Sequence, residues 1–246
     1  MTYCVGILVR TGLVMIADTR TNAGLDNVAT FRKLNLFERA GERVVVLASA
    51  GNLAVSQSVL SMMQEGIVDP VTGDLETVWT QPSMTATARF AGRAIREVHR
   101  LDGRALEQDG VGFEVSMLVG GQIAGTSPRL FMVYRAGNFI EATEETPYLQ
   151  IGEHKYGKPI LDRAITCDSS LEDSLKIGLI SMDSTMRSNL GVGLPIDVFC
   201  MQRDVLRPAT WHRIDQTDSY FFALREQWSA ALRKAHQDIP RPPYGA

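Results

Sequence analysis

The chain has 246 residues, 45% apolar and 22% charged, with a formal charge of −3. This is the balance of an ordinary globular protein. The charge offers no long-range attraction for nucleic acid or anionic lipid, no basic run suggests either partner, and no apolar stretch approaches the roughly 20 residues of a membrane helix.

In chain order, apolar runs at 3–9 and 13–17 flank the turn Arg10-Thr11-Gly12 and read as a β-hairpin ending at Asp18. Strands at 33–37 and 43–48 follow around the turn at 39–42, and the run VVVLA reads as buried on both faces. Gly51-Asn52 opens a helix with apolar positions from Leu53 to Met63, and Ser83 caps a second helix expected to stop at Leu101-Asp102-Gly103. Gly120-Gly121 reads as a turn, since no GxxxxGK[ST] pattern follows. Strands are expected at 114–119, 129–134 and 139–141, then helices at 158–165 and 171–187, strands at 197–202 and 210–214, and a helix at 219–235. The final IPRPPYGA cannot be regular structure.

Helices thus come in consecutive pairs between hairpin strands. That order argues against a doubly wound parallel sheet. It favours an α+β fold, a four-layer αββα sandwich with antiparallel sheets inside and helices outside. No internal repeat or low-complexity linker divides the chain, so residues 1–246 are expected to form a single domain with a C-terminal helix and a short Pro-rich tail. Cys4, Cys167 and Cys200 are widely spaced and read as structural thiols of a reducing compartment; no zinc spacing occurs, and no metal or cofactor is expected. No signal-peptide pattern heads the chain, and a cytoplasmic protein is expected. The four histidines are scattered and read as structural or exposed, and Ser49 lacks the GxSxG frame of a serine hydrolase.

The chemistry concentrates at the head. Thr2 becomes residue one once Met1 is removed, and then carries a hydroxyl and a free α-amine together. Threonine is small enough for methionine removal by the cell's aminopeptidase, so no propeptide is required. If the first hairpin closes tightly, Asp18 returns beside Thr2, and a third strand could bring the Lys33 ammonium between them. A threonine hydroxyl needs a base at hydrogen-bond range. A free α-amine titrates near 7.7–8.0 against about 10.4 for a lysine side chain, so the amine is the better base at neutral pH. The lysine charge would favour the neutral amine, and the aspartate would hold the lysine charged.

These segments, TYCVGILV, VMIADTRTNAG, Lys33 after a short linker (25–32), LASAGN before a helix and GLISMDSTMRSN, resemble the proteasome-type N-terminal nucleophile hydrolases, and among them the bacterial ancestral β-subunit, or Anbu, proteins. The resemblance spans about residues 2–202 and implies a self-compartmentalising threonine-type peptidase or amide hydrolase. Carried over residue by residue, it makes Thr2 the nucleophile and Asp18 and Lys33 its supporting pair. Gly51 becomes the oxyanion donor, Asp183 an aspartate near the amine and Ser188 a supporting hydroxyl. It places Thr21, Phe31, Ser49 and Leu53 around the first pocket, and implies a homo-oligomer, a ring or an open helical assembly, acting on a peptide or amide. No ATPase partner is visible. The chain departs from the family at 152–154, where Gly-Glu-His stands in place of the usual Ser-Gly pair. A small-molecule acylase or amidase on the same fold, and a non-catalytic assembly subunit, are the alternative readings.

Overall fold

A computed structural model describes residues 1–22 and 28–244. Ala23-Gly24 of the ADTRTNAG run, the first part of the expected linker 25–32 and the last two residues of the tail lie outside the described residues.

The first hairpin is β1 (Tyr3–Val9) and β2 (Gly12–Asp18), paired antiparallel with Val9 opposite Gly12 and Cys4 opposite Ala17. Two short strands, β3 (Arg20–Asn22) and β4 (Val28–Thr30), pair with each other and lead into β5 (Leu34–Arg39) and β6 (Arg43–Gly51). Helix α1 (Leu53–Glu65), a small hairpin of β7 (Ile67–Val68) and β8 (Leu75–Glu76), and helix α2 (Met84–Gln108) follow. Then come β9 (Val115–Ile123), β10 (Arg129–Val133), β11 (Phe139–Glu141) and β12 (Tyr148–Gly152). The chain closes with α3 (Lys158–Ala164), α4 (Leu171–Ser188), β13 (Ile196–Gln202), β14 (Thr210–Ile214) and α5 (Ser219–Asp238).

Two five-stranded sheets carry the fold, ordered β12-β1-β2-β13-β14 and β11-β10-β9-β6-β5. Strand periodicity assigns their faces. In β1, Val5, Ile7 and Val9 join Leu161 of α3, Leu179 of α4 and Phe221 of α5 in one core, while Cys4 joins Met15, Val46, Leu118 and Leu130 in a second core between the sheets. In β6, Val44, Val46 and Ala48 face that inner core, whereas Val45 and Leu47 pack with Val59 of α1 and Ile95 of α2 in a third. Three cores therefore separate four layers, and VVVLA is buried on both faces as its composition implies.

The second helix corrects the sequence reading. It runs through Leu101-Asp102-Gly103 to Gln108. A mid-helix glycine costs only about 1 kcal/mol against alanine, and Leu106 beyond it packs on the third core. Gly103 is buried against the His99 ring, where an added Cβ would sit 3.1 Å from the imidazole. Gly120-Gly121 is no turn either: both lie inside β9. A Cβ at Gly120 would come within 2.9 Å of Leu13 and Met15, so glycine there lets the sheets approach. Strands β3, β4, β7, β8 and β12 have no counterpart in the sequence reading. No helix among the described residues is long and apolar enough to cross a membrane.

Candidate active site

Closure of the β1–β2 hairpin sets the site. The Tyr3 N–H donates to Asp18 Oδ1 at 2.9 Å, so the strand that begins at the second residue is bonded to the end of the next one. Asp18 is fully buried. Lys33, just before β5, donates to both its oxygens at 3.0 Å and to the Arg20 carbonyl at 2.5 Å. These three acceptors match the three N–H groups of an ammonium. Arg20 N–H donates to the other carboxylate oxygen at 3.1 Å. Burial raises the Asp18 pKa above its ordinary value, and the Lys33 charge and the Tyr3 N–H pull it back toward ionisation.

Thr2 is buried and lines a cleft of about 860 Å³ with Lys33, Gly51, Thr21, Phe31, Ser49 and Leu53. Met1 also lines the cleft, and its side chain rests on Gly191, where an added Cβ would be 2.6 Å from Met1 Cβ. The Thr2 carbonyl accepts the Glu153 N–H at 2.7 Å. Gly152, at φ +80°, is required here: a Cβ would fall 2.0 Å from the Thr2 oxygen.

Gly51 ends β6 at φ +114°, with Glu114 O 2.2 Å from where a Cβ would lie. Its N–H direction follows from the ladder. Asn52 N–H donates toward β9, to Glu114 O at 2.7 Å, and Ser49 N–H donates toward β5, to Lys33 O at 3.1 Å. Successive strand residues alternate sides, so Gly51 N–H faces the β5 side. Since β5 starts only at Leu34, that N–H opens on the cleft. Helix α1 starts beside it, capped by Asn52, whose Oδ1 accepts from the Ala54 and Val55 N–H groups at 3.0 and 3.4 Å. The partial positive charge of a helix N-terminus favours an anion at this end.

The other two expected residues do not line the cleft. Asp183, buried in α4, accepts from Arg187 Nε at 3.1 Å and from Arg225 Nε of α5 at 2.5 Å. Ser188 is the exposed last residue of α4. The segment after α4 reaches the N-terminus instead through Gly191, whose N–H is held by Asn189 Oδ1 at 2.9 Å.

Two site residues escaped the sequence reading. Arg20 acts through its main chain, and its guanidinium donates to Leu190 O at 2.9 Å. The Tyr3 hydroxyl, fully buried, bonds with Ser181 Oγ at 2.6 Å and accepts from Gln150 Nε2 at 2.5 Å. Burial holds its pKa well above the usual tyrosine range. No group of three or more His, Cys, Asp or Glu residues able to hold a metal occurs among the described residues.

No family model matches the chain. It is 48% identical to the solved Anbu (Gly-1) mutant from Hyphomicrobium sp. strain MC1, with a TM-score of 0.89 over 98% of this chain and 99% of that one. The helical assembly of the Anbu complex from Pseudomonas aeruginosa matches at 45% identity and a TM-score of 0.90, covering 98% of each chain. A curated relative, proteasome subunit beta 2 of Nitrosopumilus maritimus (strain SCM1), is 25% identical over 216 residues, 85% of this chain and 90% of its own length.

Proposed function

The chain belongs to the Anbu, or ancestral β-subunit, family, and from that premise we propose that it is a threonine-type amide hydrolase whose nucleophile is Thr2 after removal of Met1. The observation that carries this reading is the buried Asp18–Lys33 pair at 3.0 Å, whose lysine lines the same cleft as Thr2.

While Met1 is attached, the Thr2 nitrogen is a peptide amide whose lone pair is tied up in resonance. Removal of Met1 turns it into an amine that takes the hydroxyl proton as Thr2 Oγ1 attacks the substrate carbonyl. The new C–O bond forms an ester as the C–N bond breaks. The proton passes from the α-amine to the departing amine. Water then hydrolyses the ester by the same base. Lys33 lowers the amine's affinity for a proton through its charge, and Asp18 fixes that charge in place. The Gly51 N–H and the α1 N-terminus stabilise the oxyanion, a contribution of about 2.7–4 kcal/mol where one comparable donor is removed.

The protein works as a homo-oligomer, in keeping with the helical assembly solved for the Pseudomonas aeruginosa relative. Its three free cysteines suit a reducing, cytoplasmic setting. The Gly152-Glu153-His154 segment favours a second reading, an assembly subunit with little hydrolysis, because no hydroxyl side chain stands there. Treatment of the processed protein with a threonine-directed β-lactone, read by intact mass and peptide mapping, tests the proposal. A single adduct on Thr2 supports it; the absence of any adduct on fully processed chain refutes it.

A further inference from the structure

A second groove is reached from Thr2 through Gly152. It encloses about 480 Å³ and is lined by Ser116, Met132 and Tyr134 from one sheet and by the β12 strand from the other. Gly152 joins the groove to the nucleophile: it lines the groove, and a Cβ there would lie 3.5 Å from Thr2 Cβ. The lining strand is the outermost of its sheet.

The main-chain groups that β12 leaves free can be read from its pairing with β1. Glu153 N–H donates to Thr2 O and Leu8 N–H donates to Pro147 O, both at 2.7 Å. Those positions face β1. By alternation the main-chain groups of Tyr148, Gln150 and Gly152 face away from β1. No strand among the described residues takes them; the Gly152 carbonyl alone is occupied, by His154 N–H at 2.9 Å. A row of unpaired strand groups is a template for an added strand. This one begins at the residue that touches the nucleophile's own main chain.

Building on the proposed amide hydrolysis, we infer that this groove binds the amine side of the substrate as an extended peptide added to the outer edge of β12. A carbonyl attacked by Thr2, with its oxygen at Gly51 and its acyl side in the cleft, directs its nitrogen toward Gly152. An extended segment beyond that nitrogen meets the Gly152 N–H and then, two residues along, the N–H and C=O of Gln150. Side chains of the leaving segment alternate between Met132 and Tyr134 on one side and solvent on the other. The substrate class is therefore a peptide continuing for at least two residues past the scissile bond, in preference to a short amide.

The test uses processed full-length protein and substrates sharing one acyl group. Leaving groups run from a compact arylamine to peptides of one to four residues, with a parallel set N-methylated at each amide. The kcat/KM should rise at least tenfold as the leaving peptide reaches two or more residues. N-methylation within it should cancel that gain. A Ser116→Trp variant, which narrows the groove, should lose the gain while still cleaving the arylamide. Cleavage of the arylamide with no dependence on length or N-methylation overturns the inference and leaves the hydrolase reading standing. Failure to cleave any member, with no β-lactone adduct on Thr2, overturns that reading itself. Length dependence that survives N-methylation also overturns the strand-addition geometry.

Discussion

Two buried aspartates, Asp18 at the end of β2 and Asp183 in α4, each hold cationic side chains, and they do different work. Asp18 bonds an ammonium that is itself buried, with side-chain exposures of 0% and 5%, and all three ammonium protons are engaged at the cleft that Thr2, the proposed nucleophile, also lines. Asp183 bonds two guanidinium groups that reach solvent, Arg187 at 53% and Arg225 at 24% exposure, and so ties α4 to α5. An oriented, buried charge in the wall of a cleft can bias a neighbouring proton transfer. A carboxylate clamped between surface arginines holds helices together.

The largest way to break this contrast is Lys33→Ala. Adduct formation at Thr2 should fall by at least about tenfold, the loss of neutral amine that a one-unit rise in its pKa brings, with the circular dichroism spectrum retained. Unfolding should also come easier, because Asp18 is left buried without its cation. An unchanged adduct rate in the folded variant would remove Lys33 from the chemistry.

Gly51→Ala should come next. It places a Cβ on Glu114 O at a strained φ, so about 1–3 kcal/mol of stability is lost. A displaced oxyanion donor should slow acylation by roughly 10²-fold, measured as kcat/KM on the arylamide.

Asp183→Asn sharpens the comparison from the other side. The melting temperature should drop while the adduct rate per folded molecule changes less than threefold. A large rate loss at unchanged stability would restore Asp183 to the active site.

Lowering the pH probes Asp18. Its raised pKa means that protonation, and with it release of Lys33, sets in at a higher pH than the ordinary aspartate value of 3.8. The Lys33 side-chain NMR signals should shift through that transition, and in Asp18→Asn the transition should vanish.

The smallest effect concerns the thiols. Burial pushes Cys200 up to about 12 and Cys4 well above the ordinary thiol range. At pH 8 both stay protonated, so iodoacetamide should modify only the partly exposed Cys167 in native protein.

Much of the fold was legible because both sheets are built from strongly periodic strands and capped helices. Ser83 and Asn52 cap where their side-chain oxygens suggest. The head of the site was legible too, since a tight hairpin fixes Asp18 beside residue two. What escaped depends on tertiary context. Helix α2 passes Gly103 because packing outweighs propensity. The edge strand β12 is five residues long and preceded by Pro147, too short to carry a periodic signal of its own. Arg20 contributes a carbonyl, which residue type does not announce. Asp183 and Ser188 lie in a segment whose register against the N-terminus is set by helix packing, and it is Gly191 that meets Met1.

The most direct measurement compares the processed chain with a chain carrying an uncleavable residue before Thr2, both treated with the β-lactone and read by intact mass. N-terminal nucleophile chemistry predicts one adduct on Thr2 in the processed chain and none in the blocked chain over the same time. An equal rate of modification in the blocked chain would contradict the central claim, because the Thr2 nitrogen would then be an amide and no base.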